Sequence, residues 1–310
     1  ELDKAFGSKW EMRGGLRAEQ TNDKGLQFHG NSSFVKNYLS LFPTAFVTYK
    51  SDSNNQFEIN YGRRIDRPGY SSLNPFVSYS YQDIYEVGNP QLNPQFTNNV
   101  ELKHSYKNTL ITSLDLSGTN DVMQSMLVVN DSTKNVYNIQ GNITSNNSIV
   151  LTITFNKELF KWCSFNTSGA LFYANFTGTI DKTSRTVNWN GYSMDVSSRF
   201  DFGKGWKAEI SGYYVSRGRW SFTSTFEPNG NIEFGISKKI KEHLLVKFYA
   251  NDPFYLFRLN SNSYGDNYQI YTTYRAATRL FTLSVTHTFG SHVNERKAGT
   301  TDEARRMNID

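Results

Sequence analysis

The chain has 310 residues, of which 37% are apolar, 15% aromatic and 20% charged, with a net charge of +5 and a mean hydropathy of −0.57. Its 23 Phe, 19 Tyr and 5 Trp exclude intrinsic disorder, and no stretch approaches the roughly 18 uncharged apolar residues of a membrane helix. The basic excess is spread along the chain, so nucleic acid is not an indicated partner, and the single Cys163 supports neither an internal disulfide nor a multi-cysteine metal site.

Taken in chain order, residues 1–7 read as the end of an earlier element, because Phe6-Gly7-Ser8-Lys9-Trp10 parallels Phe202-Gly203-Lys204-Gly205-Trp206, a tight turn. The first residue is Glu1, with no charged-then-apolar leader; either a signal peptide has been removed or this is a piece of a longer chain, and residues 1–7 favour the second. Period-two alternation then predicts twelve strands, at 8–19, 39–50, 56–66, 94–107, 108–120, 139–156, 162–175, 187–202, 205–217, 229–239, 243–257 and 267–289.

In the first strand Trp10, Met12, Leu16 and Ala18 oppose Glu11, Arg13, Arg17 and Glu19. In the sixth, Ile149, Leu151, Ile153 and Phe155 oppose Thr152, Thr154 and Asn156; in the eighth, Tyr192, Met194, Val196 and Phe200 oppose Asp195, Arg199 and Asp201. The last sets Phe281, Leu283 and Val285 against Thr282, Ser284 and Thr286. Strands 108–120 and 162–175 alternate less cleanly, which leaves their facing open.

The linkers discriminate between β architectures. Those after the second, fourth, sixth, eighth and tenth strands are short, whereas the odd-numbered ones are mostly long and polar, the longest running from about Arg67 to Asn93. Such sorting marks an all-β, antiparallel up-and-down barrel of the outer membrane, with short periplasmic turns, longer extracellular loops, and strands apolar toward lipid and polar toward the lumen. Residues 1–290 are then the barrel portion and 291–310 a periplasmic tail whose charges cancel. Trp10, Tyr49, Trp162 and Trp206 near strand ends fit an interfacial girdle, or cross-strand packing pairs.

A series of short motifs runs through the middle of the chain: Arg63-Arg64-Ile65-Asp66-Arg67-Pro68, Leu73-Asn74-Pro75-Phe76, Gly88-Asn89-Pro90-Gln91-Leu92-Asn93-Pro94 and Asn99-Val100-Glu101-Leu102. It resembles the R-x-I-x-R-P, L-N-P-F, G-N-P-x-L-x-P, N-x-E-L pattern in the C-terminal barrel of TonB-dependent outer-membrane receptors of Bacteroidetes. Gly15-Leu16-Arg17-Ala18-Glu19, Leu41-Phe42-Pro43 and the final Phe289-Gly290 are similar to further landmarks of that family. The resemblance implies a 22-strand barrel of which twelve strands are visible here, a plug domain and TonB-contacting segment outside this sequence, and energised import of a nutrient caught by extracellular loops. It also implies, as a possible partner, a surface lipoprotein or a larger outer-membrane assembly.

Pro68, Pro90 and Pro94 mark the segment 68–94 as a structured loop outside the ladder. Arg64, Asp66, Arg67, Tyr70, Tyr79, Tyr81 and Tyr85 are the candidate ligand-binding residues at the extracellular mouth; the tyrosines either stack on a ligand or stabilise the loop. Arg64 shares the lumen-facing parity with Glu58, whereas Arg63 takes the lipid-facing parity near the outer rim, where it can meet lipopolysaccharide phosphates; a β-bulge would exchange the two. Arg13, Arg17, Glu58, Glu101, Lys103, Asp195, Arg199 and Asp201 are expected to face the lumen or plug.

The five histidines are scattered, no nucleophile elbow, phosphate loop or paired carboxylate motif falls in a cleft, and neither a cofactor nor an enzymatic activity is expected. Two other readings remain. One is a self-standing or assembly-associated twelve-strand barrel with a structural role and no active transport. The other, a soluble β-sandwich or carbohydrate-binding module, leaves aromatic strand faces in water unless two sheets cover each other.

Overall fold

In the computed structural model, residues 2–27, 32–81, 84–180, 183–265 and 268–289 are described. The elements are β1 (Leu2–Phe6), β2 (Trp10–Gln27), β3 (Ser32–Lys50), β4 (Asn55–Asp66), α1 (Tyr70–Leu73), β5 (Ser78–Tyr81), β6 (Ile84–Val87), β7 (Gln95–Tyr106), β8 (Leu110–Val129) and β9 (Val136–Phe160). There follow β10 (Cys163–Ile180), β11 (Thr183–Gly203), β12 (Trp206–Val215), β13 (Gly218–Arg219), β14 (Ser224–Phe226), β15 (Asn229–Ile240), β16 (Leu244–Asn251), β17 (Leu259–Tyr264), β18 (Gln269–Tyr274) and β19 (Leu280–His287).

The main sheet is one antiparallel path in the order β1-β2-β3-β4-β7-β8-β9-β10-β11-β12-β15-β16-β19, so each strand pairs with the neighbours that precede and follow it along the wall. All twelve expected strands contribute to this path. β1 is a thirteenth, closed onto β2 by the turn that the Phe6–Trp10 repeat foretells, with Gly7 at φ 62°.

Three expectations need correction. The segments read as long polar linkers after the first, fifth and seventh strands are largely paired strand: β2–β3, β8–β9 and β10–β11 continue as tall hairpins, with registers reaching Gln27↔Ser32, Val129↔Val136 and Ile180↔Thr183. Alternation fades there because, apart from the patch of Val122, Ile143 and Phe176 covered by Phe222, neither face must be apolar, while the backbone ladder goes on. The strand expected at 267–289 is two strands, β18 and β19, in different sheets. The strand expected at 243–257 stops at Asn251, because Asp252 (φ 45°) and Tyr255 (φ 56°) turn the backbone out of the extended region. The tail at 291–310 lies outside the described residues.

Register resolves the facing that alternation leaves open. One rung runs Ile59, Leu102, Leu114, Leu151, Leu171 and Tyr192 across six strands, which places β8 and β10 with their leucines on the common apolar face. Leu171 is 59% and Leu283 69% exposed, so this face needs an apolar solvent rather than a protein layer.

At the short-turn rim the connections use turn chemistry: Lys107 and Asn108 both take positive φ, 53° and 52°, as a two-residue hairpin of primed type requires. In the β3–β4 turn the Asp52 carboxylate accepts the amides of Asn54 (2.7 Å) and Asn55 (3.0 Å). Just above these turns aromatic rings line the apolar face: Trp10 on Tyr49 (4.3 Å), Tyr49 by Phe57 (6.4 Å), Phe57 on His104 (4.5 Å), and Trp162 against Phe160 (5.3 Å) and Phe200 (6.2 Å). Lys238 lies over Trp206 at 4.8 Å. These are cross-strand pairs and a girdle at once.

Candidate functional site

The face opposite the apolar one carries most of the charged side chains of the wall. Lys103 pairs with Glu58 (3.3 Å), Asn60 donates to Glu101 (2.8 Å), and Glu101 sits directly opposite Asp115. Arg13 pairs with Asp3 (3.0 Å) and Arg17 with Glu19 (3.2 Å); Asp201 pairs with Lys207 (3.1 Å). Arg199 opposes Glu209, which takes Lys247 at 2.7 Å across Gly235. Asp195 opposes Tyr213 in a concave patch with Ser211, Asn231 and Glu233. Most of these charges meet one of opposite sign, with Glu101 opposite Asp115 the like-charged exception, and such a face suits water rather than a dry core.

At the long-loop rim the segment 67–94 is pinned at many points. Arg67 donates to the Glu19 carboxylate (2.8 Å) and the Thr21 hydroxyl (3.1 Å). Leu92 is fully buried, and Lys36 donates to its carbonyl; burial pushes the Lys36 ammonium down from its ordinary pKa. Asn89 donates to the Gln140 carbonyl (3.1 Å), while the Asn142 side chain accepts from the Asn93 amide (2.8 Å) and donates to the Asn93 and Asp121 carbonyls (3.0 and 2.6 Å). Gly88 donates to the Asn74 carbonyl at 3.0 Å, and a Cβ at Gly88 would stand 2.3 Å from that oxygen. The L-N-P-F and G-N-P pieces of the motif series are therefore two sides of one backbone contact.

Pinned in this way, the loop sends β6 alongside β9 in parallel, Ile84↔Val136 to Val87↔Ile139, and β5 pairs with β6. The pairing assembles a tyrosine ladder: Tyr79 on Tyr85 (4.8 Å) and Tyr85 on Tyr137 (5.1 Å), with the Asn135 amide donating to the Tyr85 hydroxyl (3.4 Å). On the opposite face of these strands, to which Ser78, Glu86 and Asn138 alternate, is a cleft of about 370 Å³ lined by Ser71, Asn74, Phe76, Glu86, Asn138 and Gln140. The ladder face is able to stack on a ring, and the cleft on the other face, with its amides, hydroxyls and one carboxylate, is able to hydrogen-bond.

The structure thus brings Tyr79 and Tyr85 together and adds Tyr137, which sequence reasoning missed because it lies in what was read as a linker. Tyr70 stands on α1, 82% exposed, and the Tyr81 side chain lies outside the described residues. Arg67 is engaged in holding the loop. Arg64 is exposed opposite Thr97, and Asp66 accepts from Gln95 (3.3 Å). The β4–β7 register is unbroken from Asn55 to Asp66, so no bulge exchanges Arg63 and Arg64.

A second structure overhangs the wall. β13, β14, β17 and β18 form a separate four-stranded sheet. Phe222, 2% exposed, packs with Val122, Ile143, Ala174 and Phe176, and its amide donates to Gln124 Oε1 (2.8 Å). Tyr268 donates to the Leu127 carbonyl (2.7 Å), and Trp189 Nε1 to the Arg217 carbonyl (3.0 Å). The loop that supplies β17 and β18 is clasped at its base. The Asp252 carboxylate, fully buried, accepts the Leu256 (2.6 Å) and Phe257 (3.1 Å) amides and the Thr278 hydroxyl (2.6 Å). Burial alone would push its pKa up, but these donors and the nearby Arg279 hold it below the ordinary carboxylate value.

Solved structures share this architecture at low identity. The siderophore receptor PirA from Pseudomonas aeruginosa is 13% identical with a TM-score of 0.56, covering 90% of this chain and 48% of its own. The copper transporter OprC gives 14% and 0.64, covering 93% and 46%; the ferric-catecholate import receptor Fiu from K12 E. coli, in its closed form, gives 13% and 0.59, covering 91% and 43%. The chain therefore spans less than half the length of these receptors. No curated protein matches it. The model of the outer membrane protein beta-barrel family matches residues 1–287, and with the sorted rims and the two-faced wall this means that the chain belongs to that family and resides in the outer membrane.

Proposed function

We propose that the chain is the C-terminal barrel portion of a TonB-dependent receptor that catches a nutrient at its extracellular loops for energised import. The observation that carries this is the contrast of rims: one is trimmed to tight turns under an aromatic girdle, and the other is built into pinned loops bearing the Tyr79–Tyr85–Tyr137 ladder on one face and a polar cleft on the other. The motif series around Arg63–Pro94 favours the Bacteroidetes type of receptor. The partners of this reading are a plug domain carried by the rest of the protein, TonB acting through it, and outer-membrane lipid with lipopolysaccharide against the apolar face. A surface lipoprotein over the mouth suits the same loops. The chemistry is capture and passage, not catalysis.

The test is nutrient-limited growth of cells with and without the whole receptor, in backgrounds with and without functional TonB. Import predicts a growth advantage that needs both, and that falls when Tyr85 and Tyr137 are changed to Ala in a receptor still present in the membrane. An advantage indifferent to TonB would favour the structural, non-transporting barrel.

A further inference from the structure

β18 closes one side of the overhanging sheet, and its pairing leaves it a free edge. The Tyr264 amide donates to the Thr223 carbonyl (3.0 Å), and the Asn260 carbonyl accepts from the Glu227 amide (3.0 Å), so these residues of β17 turn their backbone groups away from β18. Alternation then gives Leu259, Ser261 and Ser263 to the ladder with β18, where Tyr274, Thr272 and Ile270 answer them. The N–H and C=O groups of Gln269, Tyr271 and Thr273 consequently point out of the sheet, and among the described residues nothing in the fold bonds to them. Exposed edges are ordinarily blunted by lysine, proline or a bulge. Residues 269–274 have no charge and no proline, their register with β17 is unbroken, and Tyr271 and Tyr274 stand 61% and 57% exposed.

The two ends of this edge differ. At its start the Tyr268 hydroxyl is fixed on the Leu127 carbonyl (2.7 Å), one rung from the Val128–Tyr137 pair, so the strand sets out beside the hairpin that carries the tyrosine ladder. At its other end Arg258 and Arg275, both exposed, stand immediately before Leu259 and after Tyr274, the last rung. Each adjoins a held residue: the Phe257 amide is bound by Asp252 (3.1 Å), and the Ala276 carbonyl accepts the Tyr255 hydroxyl (3.3 Å). Among the described residues neither arginine has a carboxylate in ion-pair contact, and the cation beside Asp252 is Arg279. Like charges at one end of a hairpin repel; two guanidinium forks there suit a carboxylate that arrives from outside.

Resting on the reading of the chain as a capture-and-import receptor, we infer that its cargo is a short peptide, added to β18 as a parallel strand with its C-terminal carboxylate on Arg258 and Arg275. An added strand draws affinity from main-chain hydrogen bonds, so the edge recognises backbone and terminus rather than one sequence, and at ~3.4 Å per residue the six residues of β18 match a peptide about 20 Å long. An internal strand of a folded partner could line the same edge but brings no free terminus to the arginines.

The experiment uses the whole receptor in detergent, followed by hydrogen exchange and native mass spectrometry, with three probes: a hexapeptide of alternating Thr and Val with a free C-terminus, the same peptide amidated there, and the same peptide N-methylated along its backbone. The first is expected to slow exchange at Tyr271 and Thr273 while Ile270 and Thr272, already bonded to β17, change little. Amidation should weaken retention about tenfold, as for a lost hydrogen bond to a charged group, and N-methylation should abolish it. Thr273→Pro removes an outward donor and no ladder bond, a place where an edge strand admits proline, and should abolish the protection at Tyr271; a receptor with Arg258→Gln and Arg275→Gln should hold the acid and amide peptides alike. Exchange at Tyr271 and Thr273 that is already slow without peptide, or an N-methylated peptide retained as well as the first, overturns the inference. Equal retention of acid and amide by the unaltered receptor overturns it too, in favour of a partner's internal strand. Should Thr273→Pro fail to fold, the three probes on the unaltered receptor and the arginine variant decide. Failure of the import reading shows separately, as a growth advantage indifferent to TonB in a receptor that still binds the peptide.

Discussion

The two rims of the wall solve the same problem, reversing the chain between neighbouring strands, by opposite means. At the short-turn rim each reversal is local and self-sufficient: a pair of left-handed residues at Lys107-Asn108, or one carboxylate collecting amides at Asp52. At the other rim the β8–β9 hairpin also closes locally, but the loops that follow β4, β12 and β16 depend on residues far away in sequence, as Phe222 does on Gln124 and Asn93 on Asn142. A rim built from local turns tolerates change one turn at a time; a rim built from distant contacts fails in blocks. The second kind of rim can also hold a shaped surface in place, which is what a capture site requires.

This contrast can be broken most severely at Phe222. Phe222→Ala removes the one loop side chain in the small core of Val122, Ile143, Ala174 and Phe176, at a cost of about 3–5 kcal/mol. Limited proteolysis and hydrogen exchange should show residues 216–228 opening while the short turns keep their protection; uniform loss along the wall would contradict the separation of the rims. Next comes Gly88→Ala, where the added carbon would meet the Asn74 carbonyl at 2.3 Å. About 1–3 kcal/mol of strain should loosen the loop 67–94 and pull Tyr85 from Tyr137, read as a change in tyrosine fluorescence.

Acid supplies a third and reversible break. Because the folded-state pKa of Asp252 lies below its ordinary 3.8, the clasp contributes fully above that value and is lost as pH falls through the lower, folded one. Exchange at Leu256 and Phe257 should therefore stay slow at pH 5 and accelerate only below about pH 3.8, and Asp252→Asn should flatten the dependence. The gentlest change is Trp10→Ala at the girdle, where loss of the ring pair with Tyr49 at 4.3 Å is worth about 0.5–1.5 kcal/mol beyond its buried area. Heat-modifiability on gels should fall slightly, with loop protection unchanged.

The wall was readable because the membrane makes every other residue apolar: Tyr192, Met194 and Val196 against Asp195 announce a strand and its facing together. Where the wall rises out of the membrane that demand ends, so Val122–Val129 and Phe176–Ile180 look like linkers though they are ladder. The candidate site was half legible. Pro68, Pro90 and the paired L-N-P-F and G-N-P motifs flag an ordered loop; that Tyr79 and Tyr85 stack on each other and that Tyr137 completes the ladder depends on a parallel pairing with no periodic trace. That Arg67 ties down its own loop through Glu19 and Thr21 was not legible, because charge alone does not name the partner. The overhanging sheet left almost no mark beyond Asn251-Asp252-Pro253, a turn signal inside an alternating run.

The links between overhang and wall also order events in time. Hairpins close neighbours in sequence and can zip up as the chain is laid down, whereas Tyr268 must find Leu127 across 141 residues and Phe222 must find Gln124 across 98. Contacts of such separation form slowly, and only after the strands between them exist. The overhang is therefore the last part to settle, and its resistance to protease reports that the wall beneath it has been completed.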